Sequence, residues 1–266
     1  MRNIICLLFK SLLLALYLIS PAALADNSIS VPILTYHNFD PSVPGSMTIS
    51  TSKFEEQLKW IKDNGYTVIP LKDLVSYLEG KTSSLPAKPV VITVDDGKKS
   101  VYTYMLPIVR KNNIPITLFI YPSAISNASY ALTWEQLQEL QKTGLFDVQG
   151  HTYWHPNFNK DKKRLSDADY VKFVNTQLVK SKQVLEEKLN IKVTLLAWPF
   201  GIYNDYLEQQ ATLAGYEMAF SIDNRPASRS EKTMAQPRYL LVESQSMQEF
   251  AAIMQGKTSG KKYQEQ

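Results

Sequence analysis

The chain has 266 residues, 44% of them hydrophobic and 20% charged, with a formal net charge of +4. That composition excludes a disordered chain and a membrane bundle, the mild charge gives no basis for nucleic-acid binding, and the length suits one large α/β domain. The single cysteine, Cys6, sits in an N-terminal leader, so the rest of the chain has no disulfide framework, thiolate metal site or cysteine nucleophile.

Arg2 is followed by the mostly apolar run IICLLFKSLLLALYLIS, interrupted by Lys10, and then by Ala23-Leu24-Ala25. A basic start, an apolar centre and a small-x-small end predict a secretory signal peptide over residues 1–25, cut between Ala25 and Asp26. The alternative is an uncleaved anchor, for which the stretch after Lys10 falls short of the ~20 apolar residues a span needs. No cysteine stands at the new N-terminus to carry a lipid. The mature protein is therefore expected to be periplasmic or secreted, with no membrane span.

VPILTYH (Val31 to His37) predicts a buried strand. SKFEEQLKWIKDNGY has apolar residues at Phe54, Leu58, Trp60 and Ile61, a helical spacing that Asn64-Gly65 ends. A short strand TVIP and a helix LKDLVSYLEG follow, then a loop TSSLPAKP. VVITV is apolar without alternation, as a strand covered on both faces is. After it come a helix over about 101–111, a strand ITLFIY, a helix TWEQLQELQKTG and a strand FDVQG. The segment 165–189 predicts a long helix, VTLLAWP a strand, YLEQQATLAG a helix, EMAFSI a strand, YLLV the last strand and MQEFAAIMQG the last helix. Strands alternating with helices imply a parallel sheet with right-handed crossovers. Seven or eight such strands in one domain (26–255) point to a barrel or near-barrel, followed by a polar tail, 256–266.

In a barrel of this kind, chemistry collects where the strands end. All three histidines of the chain, His37, His151 and His155, fall there, and so do Asp95 and Asp96. Between Gly150 and Pro156, H-x-x-x-H predicts a turn that aims two imidazoles at one point. Neutral imidazole is the commonest metal ligand, and with one carboxylate it leaves coordination positions open. Two polar loop residues would show the same spacing. The pair Asp95-Asp96 before Gly97 fits a plain Asp-Gly turn. It also fits a division of labour in which one carboxylate holds a metal and the other takes a proton from water.

TVDDG followed by HTYWH resembles the first two motifs of the polysaccharide deacetylases of the NodB-homology type, carbohydrate esterase family 4. The resemblance runs from the YH at residue 37 to PRYLLV near residue 242 and includes YTYMLPIVRKNNIPITLFIYP. It implies a single-domain, distorted (β/α)7-8 barrel and metal-dependent removal of acetyl groups from N-acetylated sugars. Asp95 would be the base, Asp96, His151 and His155 the ligands of a divalent metal, with Zn²⁺ the default, and Thr152 would brace the histidine loop. Val94 stands where phenylalanine is usual.

Two departures from the pattern matter. The third motif usually reads Arg-x-Pro-Tyr; here it is AWPFG, with Ala197 in place of the arginine and Phe200 in place of the tyrosine. The oxyanion role there belongs to a backbone N–H, which Phe200 retains, and Arg238 would supply the missing charge from another strand. The usual late histidine, the general acid, is also absent, leaving His37 for that role. Both departures are similar to the branch that deacetylates poly-β-1,6-N-acetylglucosamine, a biofilm exopolysaccharide. Tyr153, Trp154, Phe158, Trp198 and Tyr203 flank the motifs as candidates for stacking on sugar rings, or for core packing. No second domain for binding or cleaving the polymer is expected, so those tasks would fall to a partner such as exopolysaccharide secretion machinery.

Other readings fit less. Paired acids of a glycosidase leave H-x-x-x-H unexplained. A non-haem iron oxygenase shares the two-His-one-carboxylate set but not the β/α alternation. Chitin oligomers and peptidoglycan remain alternative substrates. A catalytically impaired glycan-binding module is an alternative function, with Ala197 in its favour and the retained Asp95, Asp96, His151 and His155 against it.

Overall fold

The computed structural model describes residues 29–42 and 45–257; the expected leader and most of the expected tail lie outside the described residues. The chain enters through β1 (Ile33–Tyr36), the short β2 (Asn38–Asp40) and β3 (Thr48–Ser50), and α1 (Thr51–Asp63). Next come β4 (Thr67–Val68), α2 (Leu71–Leu78), β5 (Pro89–Asp95), and a π-helical turn over Val101–Met105 that runs into α3 (Leu106–Asn112). β6 (Ile116–Ile120), α4 (Trp134–Lys142) and β7 (Phe146–Gly150) follow. α5 (Phe158–Arg164) and α6 (Asp167–Asn175) then lead through a second π-helical turn, Thr176–Lys180, into α7 (Ser181–Leu189). The last part holds β8 (Leu195–Ala197), α8 (Asp205–Leu213), β9 (Met218–Phe220), β10 (Tyr239–Leu240) and α9 (Met247–Met254).

Helix boundaries follow local chemistry. The Ser50 side chain accepts from Lys53 N–H at the start of α1, and α4 and α9 open on capping boxes, Thr133 with Gln136 and Ser246 with Glu249. Gly65, Gly80 and Gly144 take positive φ just past α1, α2 and α4, where a side chain would be strained.

The strands pair in parallel in the order β10-β1-β5-β6-β7-β8-β9, with β4 added beside β5. The sheet curls until its two edges meet through a single parallel bridge, Phe220 to Gln236, just ahead of β10. The result is the distorted (β/α) barrel expected from the sequence, in one domain. β5 is buried along its whole length because both its faces are covered. Val90, Ile92 and Val94 pack in the outer cluster with Phe54, Leu58 and Met105. Val91 packs inside with Ile33, Phe119, Met218 and Phe220, and Leu71, Leu74 and Val75 of α2 plug that inner cluster at its lower end.

The upper interior is polar. Thr35, Thr93, Asp95, Ser221 and Arg238 are all at most 2% exposed. Such groups stay buried only when hydrogen-bonded, and here they bond to one another.

Three features depart from the sequence reading. β2 and β3 form a small parallel sheet beside His37 that the pattern did not predict. α5 went unread. The predicted strand VTLLAWP shortens to Leu195–Ala197 and then tightens into a 3₁₀ turn, Pro199–Gly201.

Candidate active site

At the upper mouth of the barrel a cavity of about 180 Å³ is walled by His37, Asp95, Asp96, His151, His155 and Phe200, with Met47, Trp198, Gly201 and Ile222 completing it. Of the residues given catalytic or metal-holding roles from the sequence, all but Arg238 line it, and Arg238 lies beneath it, bonded to Asp95; Thr152, Tyr153, Trp154, Phe158 and Tyr203 do not line it.

Asp95 is the last residue of β5 and points inward. Arg238 grips it with both arms: Nη1 to Oδ1 is 2.8 Å and Nη2 to Oδ2 is 2.7 Å. The guanidinium is itself held, donating from Nε to the Ser221 carbonyl at 3.0 Å and from Nη1 to Thr93 Oγ1 at 3.2 Å. Burial alone raises the Asp95 carboxyl, but Arg238 and then His151 outweigh it and hold the group down at about 2. Arg238, just ahead of β10, thus forms a buried bidentate pair with Asp95 and not a surface one.

Asp96 turns the other way because its backbone enters the left-handed region, φ 75°. Adjacent carboxylates on a regular strand would point to opposite faces; the turn sends the second one across the cavity mouth. There Asp96 Oδ1 lies 3.7 Å from His151 Nε2 and 3.6 Å from His155 Nε2. Gly97, at φ 74°, completes the reversal, and a Cβ there would come 2.9 Å from Ile120 Cδ1 and 3.1 Å from Ile125 Cδ1. Gly97→Ala is therefore expected to cost about 1–3 kcal/mol and to displace the Asp96 carboxylate. Urea unfolding checks it, and an unchanged midpoint contradicts it.

The histidines sit on a turn, as Gly150 and Pro156 suggested. Thr152 and His155 take φ of 63° and 61°. The His155 N–H donates to Thr152 Oγ1 at 3.3 Å, and the Thr152 carbonyl accepts from Ser181 Oγ at 2.8 Å. The second π-helical turn brings Gln177 under the loop, where its Oε1 accepts from the N–H groups of Tyr153 and Trp154. With Phe200 at φ 57°, four non-glycine residues of the site hold left-handed backbone. Such strain persists only where surrounding contacts over-determine it, and it gathers at functional sites.

His151 Nδ1 lies 2.8 Å from the Ala197 carbonyl, to which it can only donate. That fixes the tautomer and leaves the Nε2 lone pair facing the cavity. Burial lowers the proton affinity of both rings; His155, with His151 beside it, falls to about 4. Both imidazoles are therefore neutral near pH 7.

The donor atoms of Asp96, His151 and His155 lie within 4.8 Å of one another. Asp96 Oδ1 and His151 Nε2 are buried and have no hydrogen-bond partner. Three lone-pair donors facing one another repel unless a cation lies between them. The separations of 3.6–3.7 Å sit close to the ~3.3 Å that tetrahedral bonds of about 2.0–2.1 Å require. The set fits a divalent metal.

His37 follows β1, the strand next to β5, and lines the cavity beside Asp95, with its Nδ1 buried and unpartnered. Ser100, ahead of the first π-helical turn, ties the strand after His37 in place: its Oγ bonds Asn38 Oδ1 at 2.6 Å and accepts from Phe39 N–H at 3.1 Å. The Phe200 N–H has no acceptor among the described residues, and its ring lies 4.6 Å from that of His155.

The flanking aromatics divide. Phe158 and Trp198 belong to the core, and Trp198 Nε1 donates to the Met234 carbonyl. Tyr203 bonds Asp223, and Tyr153 lies under Lys180. Trp154 alone of the five is exposed. Sequence reasoning missed an arc around Asp96. Lys98 Nζ is 3.7 Å from Asp96 Oδ2 and 4.3 Å above the Tyr130 ring, Tyr130 bonds Tyr121, and the Tyr121 ring lies 5.4 Å from His155. Tyr121 directly follows β6, so the strand-end rule that found the histidines points to it as well.

Known proteins resemble this chain in sequence and fold. Residues 82–219 match the family model described as polysaccharide deacetylase. A poly-beta-1,6-N-acetyl-D-glucosamine N-deacetylase of Staphylococcus aureus strain MRSA252 is 28% identical over 202 residues, 73% of this chain and 68% of that protein. Among solved structures, the Streptococcus pyogenes deacetylase PplD in complex with acetate is similar with a TM-score of 0.75 at 25% identity, over 85% of this chain and 99% of that one. IcaB from Ammonifex degensii is similar with a TM-score of 0.72 at 25% identity, over 85% and 97% of the two chains.

Proposed function

Since the chain belongs to the polysaccharide deacetylase family, hydrolases of carbon–nitrogen bonds, we propose that it is a metal-dependent N-deacetylase of poly-β-1,6-N-acetylglucosamine exopolysaccharide, acting in the periplasm or outside the cell. The observation that carries the proposal is the meeting of three sets of groups in one cavity: the Asp95–Arg238 pair, His37, and the Asp96–His151–His155 cluster. Identity to the staphylococcal enzyme supports the polymer, and the leader pattern of residues 1–25 supports export. Among the described residues no helix is long and apolar enough to cross a membrane.

Asp96, His151 and His155 would hold the divalent ion, Zn²⁺ by donor chemistry. When bound, it supplies a Lewis acid for the acetyl carbonyl and lowers the pKa of a coordinated water. The cavity volume of about 180 Å³ admits an acetamido arm while the sugar chain stays at the mouth. Asp95, ionised and fixed by Arg238, accepts the proton of the attacking water. The Phe200 N–H, left free by its left-handed backbone, donates to the oxyanion that develops on the acetyl carbonyl oxygen as water adds to its carbon. His37, at the neighbouring strand end, gives a proton to the departing amine. The products are acetate and a glucosamine residue. Trp198, Met47 and Ile222 wall the cavity and limit water there.

Because Phe200 acts through its backbone, Phe200→Ala is expected to keep kcat within about tenfold of the parent, less than the loss from removing such a donor. A larger drop in steady-state acetate release would assign the role to the ring.

Acetate release from β-1,6-linked N-acetylglucosamine oligomers tests the function, with chitin oligomers and peptidoglycan fragments run beside them. Preference for the β-1,6 oligomers supports the proposal. Release confined to the other glycans keeps the reaction and overturns the substrate. Silence on every acetylated glycan, with metal bound, overturns the reaction in favour of glycan binding alone.

A further inference from the structure

A second cavity, of about 310 Å³, opens between α5, α6 and the start of α8, lined by Lys162, Asp167, Tyr170, Val171, Asn204 and Tyr206. We infer that it is a distal subsite for one hexosamine unit of the polymer whose acetamido group reacts in the first cavity. The inference rests on the deacetylase function proposed above.

The two cavities are joined in the chain. Gly201 lines the first and Asn204 the second. Three residues span at most about 11 Å of extended backbone, the length of a few sugar rings. They are also joined by a row of aromatic contacts. Trp154, 45% exposed beside His155, meets Phe173 at 5.7 Å; Phe173 stacks on Tyr170 at 5.9 Å; Tyr170 meets Tyr206 at 6.0 Å. The ends of that row, Trp154 next to His155 and Tyr206 in the second cavity, mark the direction for a polymer with one acetamido arm in the reaction cavity; Tyr170 between them is only 4% exposed and lies under Lys162.

The lining suits a pyranose. A sugar offers apolar C–H faces and a rim of hydroxyl donors and acceptors. Two tyrosine rings and Val171 meet the former; Lys162, Asp167 and Asn204 supply polar groups around them. Tyr206 Oη is buried and without a partner. An unpaired buried hydroxyl destabilises a fold, and a ligand hydroxyl, or a water it orders, would complete this one. Val171, 52% exposed on the helix face above the cavity, gains a function from the same occupant. Lys162 lies 4.9 Å over the Tyr170 ring and pairs with Asp167. It is an exposed lysine on a flexible stem, able to move aside for a sugar face.

The test is chain-length dependence. The kcat/KM for acetate release is measured on β-1,6-linked N-acetylglucosamine dimer and hexamer with the parent enzyme, Tyr206→Ala and Val171→Glu. The second variant changes only an exposed rim position and so guards against misfolding of the first. The hexamer-to-dimer ratio of kcat/KM is expected to fall about tenfold in both, through KM. A ratio equal to that of the parent in folded variants overturns the subsite, whether the two substrates lose equally or not at all. If the parent releases no acetate from either oligomer, the deacetylase function fails first and the subsite falls with it, a result distinguished by needing no substitution.

Discussion

Asp95→Asn is expected to lower kcat for acetate release by about 10²–10⁴-fold while leaving metal affinity close to that of the parent. The amide has the shape of the carboxylate but cannot accept the proton of water. The proposed metal donors, Asp96, His151 and His155, are separate residues and keep their positions. Metal titration beside the kinetics separates this from a damaged metal site. A variant that loses metal as well as rate would show that Asp95 belongs to the donor set and not to proton transfer. Depression of the carboxyl to about 2 makes Asp95 a weak base that is always ionised. Geometry, not basicity, then carries its contribution: the charge stands in place before the reaction begins.

Arg238→Met is expected to cost about 3–5 kcal/mol of folding stability, the usual penalty for breaking one side of a buried ion pair. The guanidinium is fully buried, and its loss strands the Asp95 carboxylate and the Ser221 carbonyl together, while the Thr93 hydroxyl keeps Thr35 and the Leu34 carbonyl as partners. Without Arg238, burial raises the carboxyl against only the nearby imidazoles, so the base is partly neutralised and the rate falls too. Adding Asp95→Asn to Arg238→Met should recover part of the stability and none of the activity, because a neutral amide tolerates burial better than an unpaired charge. A coupling of about 1–3 kcal/mol in that double-mutant cycle is the expected result. Urea unfolding of the four proteins gives it, and a loss below 1 kcal/mol for Arg238→Met alone would place the pair in solvent.

Much of the site is legible in the sequence because its parts stand at strand ends. His37, Asp95-Asp96 and His151 each come at or within a residue of the last strand position, which pattern alone locates. The pairing of Asp95 with Arg238 needed the barrel. Arg238 is 143 residues from Asp95, and only the pairing of β10 beside β1, and of β1 beside β5, brings the two together. The left-handed backbone at Asp96, Thr152, His155 and Phe200 leaves no mark in composition, since none of these is glycine. Helix α5 went unread because FNKDKKR buries only Phe158, so there is no apolar period to detect. β2 and β3 have three residues each, too few for alternation. The aromatics show the same limit: Trp154 and Trp198 flank their motifs alike, yet one is exposed and the other holds the core, a difference set by the turn and strand each belongs to.

The most direct test of the account is metal dependence of acetate release from β-1,6-linked N-acetylglucosamine oligomers. The protein is stripped with chelator, dialysed, and assayed before and after stepwise addition of Zn²⁺, with binding followed by calorimetry. The account predicts no release from the stripped protein, recovery that saturates at one equivalent, and loss of both binding and recovery in His151→Ala. Full release from stripped protein, or recovery in His151→Ala equal to that of the parent, would contradict the assignment of Asp96, His151 and His155 as the metal site.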